Sequence, residues 1–274
     1  MRTFAILVVA AVACLGASRA TVAADLIPDE IIAEMQSADV VILGEIHDNP
    51  DHHYVQKEAL EAIDPSAVVW EMVTEEGAQR LAQTAVSNPD ELSRILRWAE
   101  SGWPPLSMYY PLFQATRAPV YGAMVPRSAA RAAMERGAAT ALGADAARFG
   151  LTIPLSAAEQ AAREAEQMAA HCNALPAEAM PQMVAIQRLR DAVLARAILR
   201  AEAETGGPIA VITGNGHARK DWGIPTYLAR LRPGLKVFAL GQSEDGAITG
   251  EFDAVIDSPA PEREDPCKAF ETSN

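Results

Sequence analysis

Two tetrapeptides of the form Gly-x-x-His hold the residues best suited to chemistry: Gly44-Glu45-Ile46-His47 and Gly214-Asn215-Gly216-His217. The chain has only five histidines. Two of them stand at the same place after two distant apolar runs, Val40-Val41-Ile42-Leu43 and Ile209-Ala210-Val211-Ile212. An imidazole moves a proton near neutral pH or binds a metal through a ring nitrogen. Glu45 sets a carboxylate beside the first histidine, and Glu71 ends a further apolar run, Val68-Val69-Trp70. A carboxylate in that company ligates a metal, orients a histidine or acts as general base. His47, Glu71 and His217 thus form a candidate set for Zn or Mn with an open water position, and Glu45 is the base. Glu45, His47, Glu71 and His217 also suit a metal-free hydrolysis, a histidine activating water and a glutamate orienting it. The plainer alternatives are helix capping by Asp48 and Asn49, with Glu45 a surface acid, and an ordinary glycine-rich turn at 214–217.

Other polar residues fall where a pocket would need them. Asn49-Pro50-Asp51 starts a helix well, with Asn as cap, Pro at the first helical position and Asp in the first turn. Along it His52, Val55, Gln56, Ala59, Leu60 and Ile63 share one face by three-and-four spacing. His52 therefore points inward, His53 lies to one side and Tyr54 joins the polar face. An inward histidine is either a satisfied core residue or a ligand close to His47. Arg219, two residues beyond His217, suits a carboxylate or a phosphate. In the helix around 183–201, Gln187 and Arg190 interrupt an apolar stripe, with Asp191 on its edge. Buried polar groups need partners, so these three either pair within the fold or face a pocket.

The elements that must position these residues alternate along the chain. Strands are predicted at 39–43, 67–70, 119–124, 208–213, 235–240 and 254–257. Helices are predicted at 29–37, 49–63, 75–86, 89–99, 110–116 and 224–231. From Arg127 to Glu204 the sequence is alanine-rich and helical without a strand, which reads as an insertion. Such alternation gives an α/β fold, a mostly parallel sheet covered by helices on both faces. In such a sheet ligands bind beyond the carboxyl ends of the strands.

Composition sets the limits. Residues 1–24 read as a signal peptide: Arg2, an apolar stretch from Phe4 to Leu15 too short to span a bilayer, and small residues before Asp25. Export as a periplasmic protein is the preferred reading. Lipid attachment at Cys14 is the alternative, with Ala11 poorly suited to the position three before a lipidated cysteine. The remaining residues 25–274 suffice for one large domain. The net charge of −13 becomes −13 − 2 = −15 once Arg2 and Arg19 are removed. Such acidity argues against nucleic acid and against electrostatic binding to anionic lipid. Cys172 and Cys267 remain in an oxidising compartment, where a disulfide between them is expected. No Gly-x-Ser-x-Gly elbow, phosphate-binding loop, dinucleotide fingerprint or His-Glu-x-x-His occurs.

In five segments the chain resembles the ChaN-like haem-binding uptake family, within the wider Tiki/TraB and erythromycin-esterase-like superfamily. They are GEIHDNPDHHYVQ at 44–56, VVWEM at 68–72, YYPLFQATRAPVYGAMVPR at 109–127, QRLRDAVLARAI at 187–198 and GNGHARKDWGIPTYL at 214–228. The sequence departs from the family pattern at Met124-Val125-Pro126-Arg127, where an Asn is expected, although Arg127 is kept. The resemblance implies loops converging on one pocket, with haem as cofactor and a role in iron uptake at the bacterial envelope. It implies haem, or another small molecule, as the ligand, and leaves open an outer-membrane or envelope uptake partner and a homodimer. His52, His53, Tyr109 and Tyr110 are the candidate iron ligands. Arg127 or Arg219 would lie near the propionates, and Gln187 and Asp191 would join the pocket. Relatives in the superfamily use paired Gly-x-x-His motifs and a Glu for proteolysis or ester hydrolysis, so a hydrolase is the alternative function.

Overall fold

Three short runs, at 40–43, 67–70 and 209–212, are apolar at every position and buried at every position. That is the pattern of central parallel strands covered on both faces. The computed structural model describes residues 26–265, 267 and 268. The signal segment expected at 1–24 and the alternative lipid site Cys14 lie outside the described residues. In chain order the elements are α1 (Asp29–Gln36), β1 (Val40–Leu43), α2 (Pro50–Ile63), β2 (Ala67–Trp70), α3 (Glu75–Ala82) and α4 (Pro89–Leu96). Next come α5 (Leu106–Ala115), β3 (Val120–Gly122), α6 (Arg127–Arg136), α7 (Ala138–Leu142), α8 (Ala157–Ala170) and α9 (Met180–Thr205). The chain continues through β4 (Ile209–Ile212), α10 (Asn215–Ala218), α11 (Ile224–Leu231), β5 (Val237–Glu244) and β6 (Ala254–Ser258).

The strands form one sheet in the order β3-β2-β4-β1-β5-β6, and every pair of neighbours is parallel. Successive strand side chains point to opposite faces, so the sheet carries two cores. Val40, Ile42, Val69 and Val211 pack with α9 and α11 on one face. Val41, Leu43, Val68, Trp70 and Ile212 pack with α2 and α5 on the other. β1 and β4 are neighbours, Leu43 lying beside Ile212. The chain leaves β1 toward α2 on one face and leaves β4 toward α11 on the other. Two connections that part in this way open a crevice at the strand ends. Both Gly-x-x-His motifs begin there.

Several boundaries differ from the sequence reading. The second motif is expected as a loop but forms the single helical turn α10, and Asn215 is the reason. Its side-chain amide donates to the Gln242 carbonyl at 2.7 Å and accepts from the Gln242 N–H at 3.1 Å, fixing the turn against β5. α5 begins at Leu106 rather than at Tyr110. Burial of Leu106, Tyr109 and Leu112 outweighs the hydrogen bond lost at Pro111 inside the helix. β5 runs on to Glu244 because its second half pairs with β6. α3 and α4 are each shorter than expected, α4 ending at Arg97 in a left-handed conformation. Between β3 and β4 the described chain holds four helices, α6 to α9, and no strand. Among the described residues no helix is long and apolar enough to cross a membrane.

Cys172, just past α8, is joined to Cys267 in a disulfide with Cα atoms 5.5 Å apart. Its partners are separated by 95 residues, a long loop in the unfolded chain, for which loop closure contributes at most about 4–5 kcal/mol. Reduction, or Cys172→Ser with Cys267→Ser, is expected to cost roughly 2–5 kcal/mol of stability. Denaturant unfolding with and without a thiol reductant measures it, and coincident curves would contradict it.

Candidate functional site

The first glycine of each motif is required by close approach. A Cβ on Gly44 would lie 2.4 Å from Asn215 Oδ1 and 2.9 Å from the Leu240 carbonyl oxygen. A Cβ on Gly214 would lie 3.1 Å from His47 Nε2. The imidazole of the first motif thus rests over the backbone of the second. Glu71, at the end of β2, closes the group from the other side. Its Oε2 accepts from the Thr213 hydroxyl at 2.8 Å and from the Gly214 N–H at 2.9 Å.

Each motif histidine has its Nδ1 fixed by a buried carboxylate. His47 Nδ1 is 2.6 Å from Glu45 Oε1, and His217 Nδ1 is 2.6 Å from Asp191 Oδ1. Such a partner sets the ring orientation and leaves Nε2 as the working nitrogen. His217 Nε2 lies 3.5 Å from Glu71 Oε1. Both rings, Glu71, Trp103, Gln187 and Arg190 line a pocket of about 410 Å³. Glu45, His47, Glu71 and His217 are therefore together at the carboxyl edge of the sheet. Among the described residues no group of three or more His, Cys, Asp or Glu is arranged to hold a metal ion.

Charge neutralisation explains the proton affinities. Burial works to raise the Glu45 carboxyl, yet the His47 hydrogen bond and the nearby His53 outweigh it and hold the carboxyl below its usual range. Burial likewise opposes ionisation of Glu71, but His217, His47 and the Gly214 and Thr213 donors bring it to about 2. Desolvation would lower His47, and the Glu45 hydrogen bond together with Glu71 raises it to about 9. His217 is raised as well, Glu71 and Asp191 overcoming its burial. Burial pushes Asp191 up, so Asp191 and His217 compete for one proton.

The remaining sequence candidates sit in three different settings. His52, His53 and Tyr109 are buried and already bonded. His52 Nδ1 accepts from the Ile46 N–H at 2.8 Å. Its other nitrogen donates to the Ser243 carbonyl at 3.3 Å. His53 Nε2 donates to the His47 carbonyl at 3.0 Å, and the Tyr109 hydroxyl donates to Glu45 at 2.7 Å. These three shape the first loop from behind. Tyr110 is half-buried in the adjoining core and lines none of the described cavities. Arg219 reaches the pocket but is taken by Glu166 at 2.8 Å and by Asp221, with its guanidinium 4.0 Å from the Trp222 ring. Gln187 lines the pocket with an unpartnered Oε1. Asp191 serves as the partner of His217, a role its place on the edge of an apolar stripe hinted at. Arg190, one of the three polar residues for which the sequence leaves pocket and structural roles open, lines the pocket, and Trp103 joins it without being a sequence candidate. Arg190 had a signal in that same stripe, whereas Trp103 lies in the irregular break at 102–105, where periodicity is silent.

Two further cavities follow in series, only the first of which borders this pocket. One of about 250 Å³ shares Glu71, Trp103 and Arg190 with it and adds Arg127. Through Ala123, Met124 and Val125 it adjoins another of about 800 Å³, walled by residues such as Pro126, Leu142 and Val193.

Residues 31–228 match the family model described as haem-binding uptake, Tiki superfamily, ChaN. Among solved structures, ChaN of Campylobacter jejuni with cofacially bound haem is similar at 18% identity and a TM-score of 0.64, covering 83% of this chain and 90% of that one. The type III effector HopBA1 is similar at 12% identity and a TM-score of 0.44, covering 85% and 93%. No curated protein matches.

The raised His47 value dictates a pH dependence. His47 titrates at 6.5 when unfolded and about 9 when folded, so its protonated form stabilises the fold. That contribution is complete below pH 6.5 and lost as pH rises through 9. It amounts to about 2–3 kcal/mol after allowance for a ring edge that meets solvent. Stability measured by urea unfolding is expected to fall across this window, and His47→Gln is expected to flatten the slope. A variant with the wild-type slope would contradict the assignment.

Proposed function

Because this chain belongs to the ChaN haem-binding uptake family of the Tiki superfamily, we propose that it is an exported haem-binding protein of the bacterial envelope that serves haem and iron uptake. The observation that carries this reading is the cavity of about 800 Å³, separated from the histidine pocket by the smaller cavity that borders both. Its size falls in the range of cofactor pockets, about 300–1,000 Å³. Its Val125, Pro126, Ala129, Leu142, Val193 and Ala197 offer the apolar wall that a porphyrin face needs. The histidine pocket is half that size. Haem iron takes His, Met or Tyr. Met124 lines the large cavity and the smaller one next to it, His47 lines the histidine pocket beyond, and Tyr110 has no hydrogen bond among the described residues. His52, His53 and Tyr109 would have to give up the bonds that hold the first loop. The periplasm is the proposed location, in keeping with residues 1–24, and an envelope uptake component and a second copy of this chain are the proposed partners.

One observation favours a second reading. Both Nδ1 atoms are held by carboxylates at 2.6 Å, and both rings border one pocket beside Glu71. A charged imidazole can give a proton from Nε2 and a neutral one can take a proton there, which is the equipment for hydrolysis of a small ester by general acid–base catalysis.

Titration of the purified protein with haemin is expected to give a saturable Soret shift. Val193→Glu, which puts a charge into the apolar wall, is expected to weaken binding by roughly tenfold or more. Changes in the Soret band of His47→Gln, Met124→Leu and Tyr110→Phe identify the iron ligand. Absence of saturable binding in the wild type would refute the haem reading. For the second reading, 4-nitrophenyl acetate is the probe. Turnover that survives a chelator and is lost in both His47→Gln and His217→Gln supports acid–base chemistry. Turnover lost to the chelator and restored by Zn or Mn would instead assign a metal to His47, Glu71 and His217.

A further inference from the structure

We infer that α8 is a lid over the histidine pocket that swings away as an intact helix, with the Glu166–Arg219 ion pair as its latch and Cys172 as its anchored end. This goes beyond both readings of function, since it concerns access to the pocket and not the chemistry done there.

α8 is amphipathic the wrong way round. A surface helix ordinarily turns its apolar stripe to the core and its polar face to water. Here every alanine of the helix is exposed, and the half-buried positions carry charged or amide side chains apart from Met168. No α8 residue is fully buried, and none belongs to either hydrophobic core. Arg163, Glu166 and Gln167 share one face by three-and-four spacing and form a wall of the histidine pocket. A helix of 14 residues without core packing needs local terms to persist. Alanine is the best helix former. The Ser156 hydroxyl accepts from the Glu159 N–H at 3.1 Å as cap. Glu159 pairs with Arg163, and Gln160 with Glu164, each one turn apart. The helicity of α8 thus comes from its own sequence, and the helix need not unfold to move.

Its ties to the rest of the molecule suit a movable part. Both oxygens of Glu166 accept from Arg219 Nη1 at 2.8 Å. Arg219 is held by Asp221 as well. Opening the latch therefore strands no buried charge, which is what makes most buried ion pairs costly to break. Glu166 is already 33% exposed and returns to water. Just past the helix, Cys172 is joined to Cys267 in the tail, and Arg263 of that tail lies 3.1 Å from Asp48 beside the first motif. That end of α8 is anchored. On the other side the Ile153 carbonyl accepts from Arg188 at 2.9 Å. Only Pro154, Leu155 and Ser156 link this fixed point to the helix, and Pro154 and Ser156 are exposed. A swing about Cys172 with these three residues as hinge withdraws the α8 wall from the pocket without exposing any fully buried apolar side chain of its own.

Access to the pocket can be read without a ligand. Val184 on α9 lines the pocket and is 2% exposed, so a thiol placed there by Val184→Cys is shielded while α8 is in place. Iodoacetamide is the probe, and the native cysteines are silent in their disulfide. Adding Glu166→Gln is expected to raise the rate of alkylation roughly tenfold, the factor for loss of a charge-assisted hydrogen-bonded pair. Glu164→Gln, the same charge change on the same helix at a residue bonded to Gln160 along it, is expected to leave the rate unchanged. Protection of α8 amides against hydrogen exchange is expected to persist in both variants, because the helix moves whole. Thermal midpoints verify folding, and Gln187→Cys, a second pocket position on α9, serves if Val184→Cys does not fold. An alkylation rate unmoved by Glu166→Gln, or one that rises only with an equal loss of amide protection along α8, would overturn the lid. Neither result touches haemin binding or ester turnover, which are measured separately.

Discussion

Three carboxylates, Glu45, Glu71 and Asp191, are almost fully removed from water within one cluster. Isolated burial of an ionised carboxylate is prohibitive, so the whole loop face is organised around meeting that demand. Two imidazoles satisfy Glu45 and Asp191 at 2.6 Å. Backbone and hydroxyl donors from the start of the second motif satisfy Glu71. The Tyr109 hydroxyl adds a second donor to Glu45 Oε1, for which α5 must begin early enough to bring that ring inward, while Oε2 has no hydrogen bond and only the His53 ring at 3.5 Å. Each of these groups tolerates its place only because the others are there, and removal of one partner from such a set typically costs several kcal/mol.

Topology makes the cluster attainable. β1 and β4 lie side by side although 165 residues of chain, from Gly44 to Pro208 and including α9, separate them in sequence. Their connections leave toward opposite faces of the sheet, and the backbone beyond Leu43 and Ile212 is left facing the same crevice. Glycine at 44 and at 214 then lets Asn215 and His47 come closer than any side chain at those positions would permit. The long α9 contributes Asp191 to one histidine and presents Arg190 next to it, toward the neighbouring cavities. One helix thus serves both the proton-holding centre and the wall of the cavity next to it.

Much of this was legible in the sequence. Repetition of Gly-x-x-His after two strand-like runs marked the crevice, and Glu71 at a strand end marked its third side. A mostly parallel sheet followed from fully apolar runs separated by helices, and the described strands pair in parallel throughout. Other features were not legible for identifiable reasons. His52 looked like a ligand because it points inward, but inward orientation does not tell a core hydrogen bond to Ser243 from a contact with a cofactor. Arg219 looked free for an anion because its partners Glu166 and Asp221 reach it through tertiary packing and a local turn. Trp103 sits in irregular chain, where no period exists to be read. The helical turn at Asn215 depends on a side-chain amide standing in for a strand neighbour across β5, which no local propensity records.

The disulfide described earlier bears on the order in which the molecule can be completed as it emerges from synthesis or from an export channel. α8 supplies Glu166 and Gln167 to the pocket wall, and Cys172 directly behind it stays unpaired until Cys267 has appeared. The sheet needs β5 and β6 from the same late stretch. A chain threaded amino end first therefore displays its first histidine motif and the aromatic cluster beneath it long before the covalent clasp on the opposite wall can close. Throughout that interval the segment after α8 has no covalent tie, and closing it takes an oxidant as well as the arrival of Cys267.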